Sequence, residues 1–201
     1  GQIGWHSHEM IFGYTVGVIA GFLLTSVRNW TGLATATGGS LAALVTLWLL
    51  GRILPFFSAT MPSWLLSIVD LAFVPALTAS IGVPLVRHGE KRNLLFLPLM
   101  LGFLVANLLV HLEVLGLIPG VARHGIFLGL YLVILLIVIM GGRVIPFFTE
   151  RALSGVVIKR RPLIEWLAPL TVIAFMVAEL LFPNSRLAGA LAALAGIING
   201  V

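Results

Sequence analysis

Gly125-Ile126-Phe127-Leu128-Gly129-Leu130-Tyr131-Leu132-Val133-Ile134-Leu135-Leu136-Ile137-Val138-Ile139-Met140-Gly141-Gly142 carries no charge. The run is apolar throughout and lacks the period-two alternation of a half-buried strand. A helix crossing the hydrocarbon of a membrane needs about 20 mostly apolar residues. With its flanks, at 124–147, this stretch meets that length. Working outward, equivalent segments fall at 9–27, 38–57, 64–86, 94–117 and 163–182, and a seventh begins near Leu187 and is cut off by the end of the sequence. The breaks between them carry turn chemistry: Asn29-Trp30-Thr31-Gly32, Thr60-Met61-Pro62, His88-Gly89-Glu90-Lys91, Ile118-Pro119-Gly120 and Phe182-Pro183-Asn184. The expected fold is all-α, a polytopic transmembrane helical bundle of six full spans plus a truncated seventh, forming one transmembrane domain over 1–201.

Composition agrees. Of the 201 residues 60% are apolar and 9% are charged, against about 45–50% and about 25% in soluble domains. An ordinary soluble globule and a disordered chain are excluded. There is no cysteine, so disulfide scaffolds, thiolate metal sites, cysteine nucleophiles and iron–sulfur clusters are excluded as well. The net charge of +5 does not point to nucleic acid, because the basic residues sit in short clusters between apolar runs. The chain opens at Gly1-Gln2-Ile3 without methionine or a signal peptide and closes inside an apolar run. It is therefore expected to be a piece of a longer membrane protein.

Basic residues divide unevenly between the two sides. Arg28, Arg87, Lys91, Arg92, Arg143, Arg151, Lys159, Arg160 and Arg161 fall on one side, and Arg52, Arg123 and Arg186 on the other. The excess of Lys and Arg marks the cytoplasmic face. The segment Trp5-His6-Ser7-His8-Glu9 then faces outward.

The stretch Gly51-Arg52-Ile53-Leu54-Pro55-Phe56-Phe57 recurs as Gly142-Arg143-Val144-Ile145-Pro146-Phe147-Phe148. Each copy is expected to close a span. Three helices separate the copies, which suggests an inverted three-helix repeat over about 1–92 and 93–185. Arg52 and Arg143 each lie a turn or more inside a span. Arginine near the bilayer centre costs roughly 2.5–3.5 kcal/mol on insertion scales, so each is expected to have a partner. Asp70 lies at a comparable depth to Arg52, and Glu165 begins its span on the side of Arg143. The expected pairs are Arg52 with Asp70 and Arg143 with Glu165.

Of five histidines, His88 sits in a basic loop and is expected to be solvated. His6, His8, His111 and His124 come from three separate segments, and the topology carries all four to the outer side. Neutral imidazole is a common ligand for iron, copper and zinc. Four histidines at one depth suit metal or haem ligation, with haem lying between helices. His6 and His8 point about 200° apart if helical. Either the chain before Glu9 is extended, or the two serve different centres. Glu9 and Glu113 are placed to orient an imidazole through its second nitrogen, or to move protons. No phosphate-binding glycine loop and no His-Glu-x-x-His motif is present.

The stretch Trp5-His6-Ser7-His8-Glu9-Met10-Ile11-Phe12-Gly13-Tyr14, with Ala20-Gly21-Phe22-Leu23-Leu24-Thr25 and Asn29-Trp30-Thr31-Gly32, resembles the NnrS family of bacterial membrane proteins. Gly142-Arg143-Val144-Ile145-Pro146-Phe147-Phe148-Thr149 looks like a second motif of that family. Arg28 departs from the resemblance, since many relatives have proline there. The resemblance implies a multi-pass, haem- and copper-containing protein of the bacterial inner membrane. It also implies roles in denitrification and in protection against nitric oxide and nitrosative stress, with His6 and His8 as carriers of the metal role.

Three functions are set against each other. The first is a haem/copper protein that handles nitric oxide or a metal–nitrosyl species near the outer face, drawing on an unnamed electron donor, with the lipid bilayer as its surroundings. The second is a secondary transporter, with Arg52, Asp70 and Arg143 along the pathway. The third is an assembly factor or sensor without turnover.

Overall fold

The computed structural model describes residues 2–89, 93–153 and 161–200. Among these the regular structure is entirely helical. Helix α1 (Gln2–His8) runs through a π-helical turn (Glu9–Thr15) into α2 (Val16–Thr31). Helix α3 (Gly39–Ile53) ends in a 3-10 turn (Leu54–Phe57), and α4 (Ser63–His88), α5 (Phe96–Val114), α6 (Ala122–Ala152), α7 (Pro162–Leu181) and α8 (Arg186–Asn199) follow. Among the described residues, six helical stretches are long and apolar enough to span a membrane: Gly4–Thr31, Gly39–Phe57, Ser63–His88, Phe96–Val114, Ala122–Ala152 and Pro162–Leu181. They coincide with the six segments expected from the sequence. Helix α8, where the seventh was expected, is an apolar helix of 14 residues. The protein is a multi-pass membrane protein.

One alternative is decided and one expectation is corrected. Of the two readings of His6 and His8, the extended lead-in is excluded, because the chain before Glu9 is helical. The second copy of the Gly-Arg motif does not end its helix. The first copy stops at the 3-10 turn containing Pro55, whereas α6 runs through Pro146 to Ala152. Proline removes one backbone donor, and a long helix accommodates that with a local bend.

The chain forms two compact units, Gly1–Gly129 and Leu130–Val201, with the boundary inside α6. The first unit is organised around α4, which packs on α2, α3 and α5. Its buried face is read directly from helical spacing: Ser67, Asp70, Phe73, Val74, Leu77, Ile81, Pro84 and Leu85. Helix α5 answers with Phe96, Leu99, Met100, Phe103, Ala106, Asn107, Val110 and His111. Helix α2 contributes Val16, Ile19, Ala20, Leu23 and Val27. At one end Trp30 stacks on Phe96 with ring centroids 5.3 Å apart. In the second unit α7 packs on α8, and Tyr131 meets Phe175 edge to face.

Large apolar side chains such as Leu101, Ile137 and Ile145 are exposed. In water that much exposed apolar surface is unfavourable. Against lipid tails it carries no such penalty, so the interior is left to hold the polar groups. The polar members of the two interior faces, Asp70, Asn107 and His111, lie at 6%, 2% and 8% exposure.

Candidate metal centre

Four elements bring the site together. The π-turn after His8 closes its backbone hydrogen bonds over five residues rather than the four of an α-helix, a distortion frequent at functional sites. Thr15 Oγ1 donates to the Met10 carbonyl, five residues back, at 2.7 Å. Trp48 of α3 donates its indole N–H to the Gly13 carbonyl at 2.9 Å, which ties the turn to α3. Asn107 and His111 are four apart on α5 and share its buried face. Asp70 faces them from α4.

Asp70 is the hub. Its Oδ2 accepts from Asn107 Nδ2 at 2.8 Å and from His111 Nε2 at 2.8 Å, and His8 Nε2 lies 3.3 Å away. Its Oδ1 pairs with Arg52. His8 Nε2 donates to Asn107 Oδ1 at 2.8 Å. The same guanidinium reaches Glu9 Oε1 at 2.6 Å, and that oxygen is 3.4 Å from His8 Nδ1. The result is one continuous network from Glu9 through Arg52, Asp70 and Asn107 to both imidazoles. The Arg52–Asp70 pair expected from depth is in place.

Glycine makes the approach possible. A Cβ on Gly13 would lie 2.7 Å from Arg52 Nη1, and one on Gly51 would lie 3.1 Å from Asp70 Oδ1. Either methyl group would press on the clamp that Arg52 forms. Thus the glycine preceding Arg52 in the repeated motif has a role inside the first unit, where it lets α3 approach Asp70.

Of the four histidines expected to converge, two do. His8 and His111 lie edge to face with ring centroids 5.4 Å apart. His8, Asp70 and His111 each offer a donor atom, and those atoms lie within 4.8 Å of one another. His6 does not join them. Because α1 is helical, His6 points away from the side of His8 and opens onto a depression lined by Trp5, Pro55, Phe56 and Ser58. His124 is exposed in the first turn of α6, beside Arg123, whose guanidinium lies over Phe127. Glu113 accepts the backbone N–H of Ala122 at 2.7 Å and so caps α6. Arg143 lies within α6 and Glu165 in the first turn of α7. Asn107 was not singled out from the sequence. Its four-residue spacing from His111 was the available signal.

The family model for the NnrS protein matches residues 1–201. The chain belongs to the NnrS family. No curated protein and no solved structure matches it. In this NnrS chain the buried group is two imidazoles and one carboxylate, a donor set that suits copper and related transition metals. His111 Nδ1 is buried with no hydrogen-bond partner, so the ring is held through Nε2 alone. Copper fits these residues, because small movements of three converging donors would enclose an ion. A haem between His8 and His111 does not fit. Both Nε2 atoms face Asp70 Oδ2, and that of His8 also meets Asn107 Oδ1, whereas a macrocycle needs that space clear between opposed nitrogens.

Proposed function

We propose that this NnrS-family chain holds copper at His8, Asp70 and His111, and serves a bacterial inner-membrane protein that binds and handles nitric oxide. The observation that supports this most is the meeting of three ligand atoms within 4.8 Å inside an apolar unit. A buried group of this kind in a membrane protein points to function, because the membrane interior penalises polar side chains that have none. Nitric oxide is small and partitions into lipid, so a site between spans is reachable from the bilayer. Copper would supply an open coordination position there.

The chain's own residues do the rest. Arg52 holds the Asp70 carboxylate by Oδ1 and leaves Oδ2 toward the imidazoles. Glu9, itself held by Arg52, stands beside His8 Nδ1 and fixes the ring's orientation. Asn107 spaces His8 from Asp70. Haem enters the proposal through the family alone, and His6 and His124, which stand outside the buried group, are the imidazoles left to carry it. Electrons for any turnover come from a donor outside this chain. The duplication over about 1–92 and 93–185 and the pairing of Arg143 with Glu165 belong to the same proposal.

Metal analysis of the purified protein tests the reading. Copper at one equivalent, with nitrogen hyperfine structure in the Cu(II) electron paramagnetic resonance spectrum, is expected. His8→Ala, His111→Ala and Asp70→Asn should each lower the copper content. Unchanged content in all three variants overturns the assignment. A folded, colourless and metal-free wild-type protein favours the transporter instead.

A further inference from the structure

We infer that the Asn107 amide closes the buried site in the ion-free protein and must swing out before an ion enters. The inference rests on the metal reading above and adds the residue that controls entry. Asn107 is buried on α5, and its amide lies across two of the three ligand atoms. Its Nδ2 donates to Asp70 Oδ2 at 2.8 Å, and its Oδ1 accepts from His8 Nε2 at 2.8 Å. These partners fix which way the amide points. A carboxylate paired with Arg52 only accepts, so the amide turns its NH2 to Asp70 and its oxygen to His8. An amide oxygen also only accepts, so His8 Nε2 carries a proton. A ligating nitrogen needs its lone pair instead. Asn107 thus keeps a proton on the nitrogen that would ligate and takes up a lone pair of Asp70 Oδ2 as well. His111 Nε2 also donates, but to Asp70, itself a member of the donor group. Asn107 stands outside that group and blocks it.

The spacing agrees. A tetrahedral ion bound at about 2.0–2.1 Å keeps its ligands roughly 3.3–3.4 Å apart. His8 Nε2 and Asp70 Oδ2 are already 3.3 Å apart, so these two atoms need little movement, and the amide that bridges them is what must leave. It is neutral, so its departure breaks two hydrogen bonds and separates no charge. A supporting role for Asn107 predicts the opposite sign. Removing a group that orients a metal ligand typically lowers affinity 10–100-fold, whereas removing one that blocks the ligand atoms raises it.

Cu(II) titrated into the purified full chain in detergent, against a competing chelator, tests this. The exposed His6 and His124 also present imidazoles to the ion, so the buried site is read as the binding that His8→Ala abolishes. Asn107→Leu keeps the volume and Asn107→Ala opens it, and each removes both hydrogen bonds. Each should raise the Cu(II) affinity of that site by about tenfold or more, the worth of the bonds no longer broken on binding. In wild type the rate of tryptophan quenching on mixing should level off as Cu(II) rises, because the amide must leave first. In Asn107→Ala it should keep rising in proportion. Lowered or unchanged affinity in the folded variants overturns the inference and leaves the metal site standing. So does a wild-type rate that climbs in proportion to Cu(II) throughout, and this measurement decides the matter even where neither variant folds. Absence of any binding that depends on His8 overturns the metal reading and this inference with it.

Discussion

Asp70 accepts from two side chains at 2.8 Å and pairs with Arg52 at its other oxygen. Removing it leaves the Arg52 guanidinium with Glu9 alone, and the Asn107 Nδ2 and His111 Nε2 donors buried without their acceptor. Breaking a buried ion pair from one side costs about 3–5 kcal/mol, and Asp70→Ala is expected to destabilise the protein by that amount. Unfolding in mixed micelles measures it, and an unshifted transition would refute the hub role. Arg52 and Asp70 were legible as a pair because each sat at the same depth in an apolar span. Asn107 was not, because its four-residue spacing from His111 marks a shared face of the helix but gives no hint of what lies opposite. His6 and His8 were legible as diverging if helical, and the helical lead-in decides that His8 alone turns inward.

Helix α5 shows how an element carries the site. Its interior stripe is apolar from Phe96 to Ala106 and becomes polar at Asn107 and His111. Inserting one alanine after Leu104 turns everything beyond it by about 100°. Phe96, Leu99, Met100 and Phe103 keep their packing, while Asn107 and His111 leave the face of Asp70. Metal content should fall to background while the protein still inserts in the membrane. Retained metal would mean that the buried group is not the site. The π-turn at Glu9–Thr15 had no signature in the sequence. It arises where α1 must present His8 and Glu9 to α3 and α5 while Trp48 takes the Gly13 carbonyl. The continuation of α6 past Pro146 was likewise not legible, since proline ends one helix and only bends another.

Across the whole molecule, the skew of Lys and Arg predicts which ends face the cytoplasm. The chain has no cysteine, so single substitutions report cleanly. Thr60→Cys should react with an impermeant maleimide added outside spheroplasts, and Ala34→Cys only after the membrane is opened. The opposite pattern would invert the orientation and place the buried group toward the cytoplasmic half. The number and positions of the spans followed from the sequence by itself, because crossing hydrocarbon demands length and apolarity, and both are local properties of the chain. Family membership followed from local motifs as well. Which polar side chains meet did not, because contact across helices depends on the rotation of each helix about its axis. That rotation is fixed only when α2, α3, α4 and α5 pack together, and it is what joins His8 to His111 through Asp70 and leaves His6 and His124 outside.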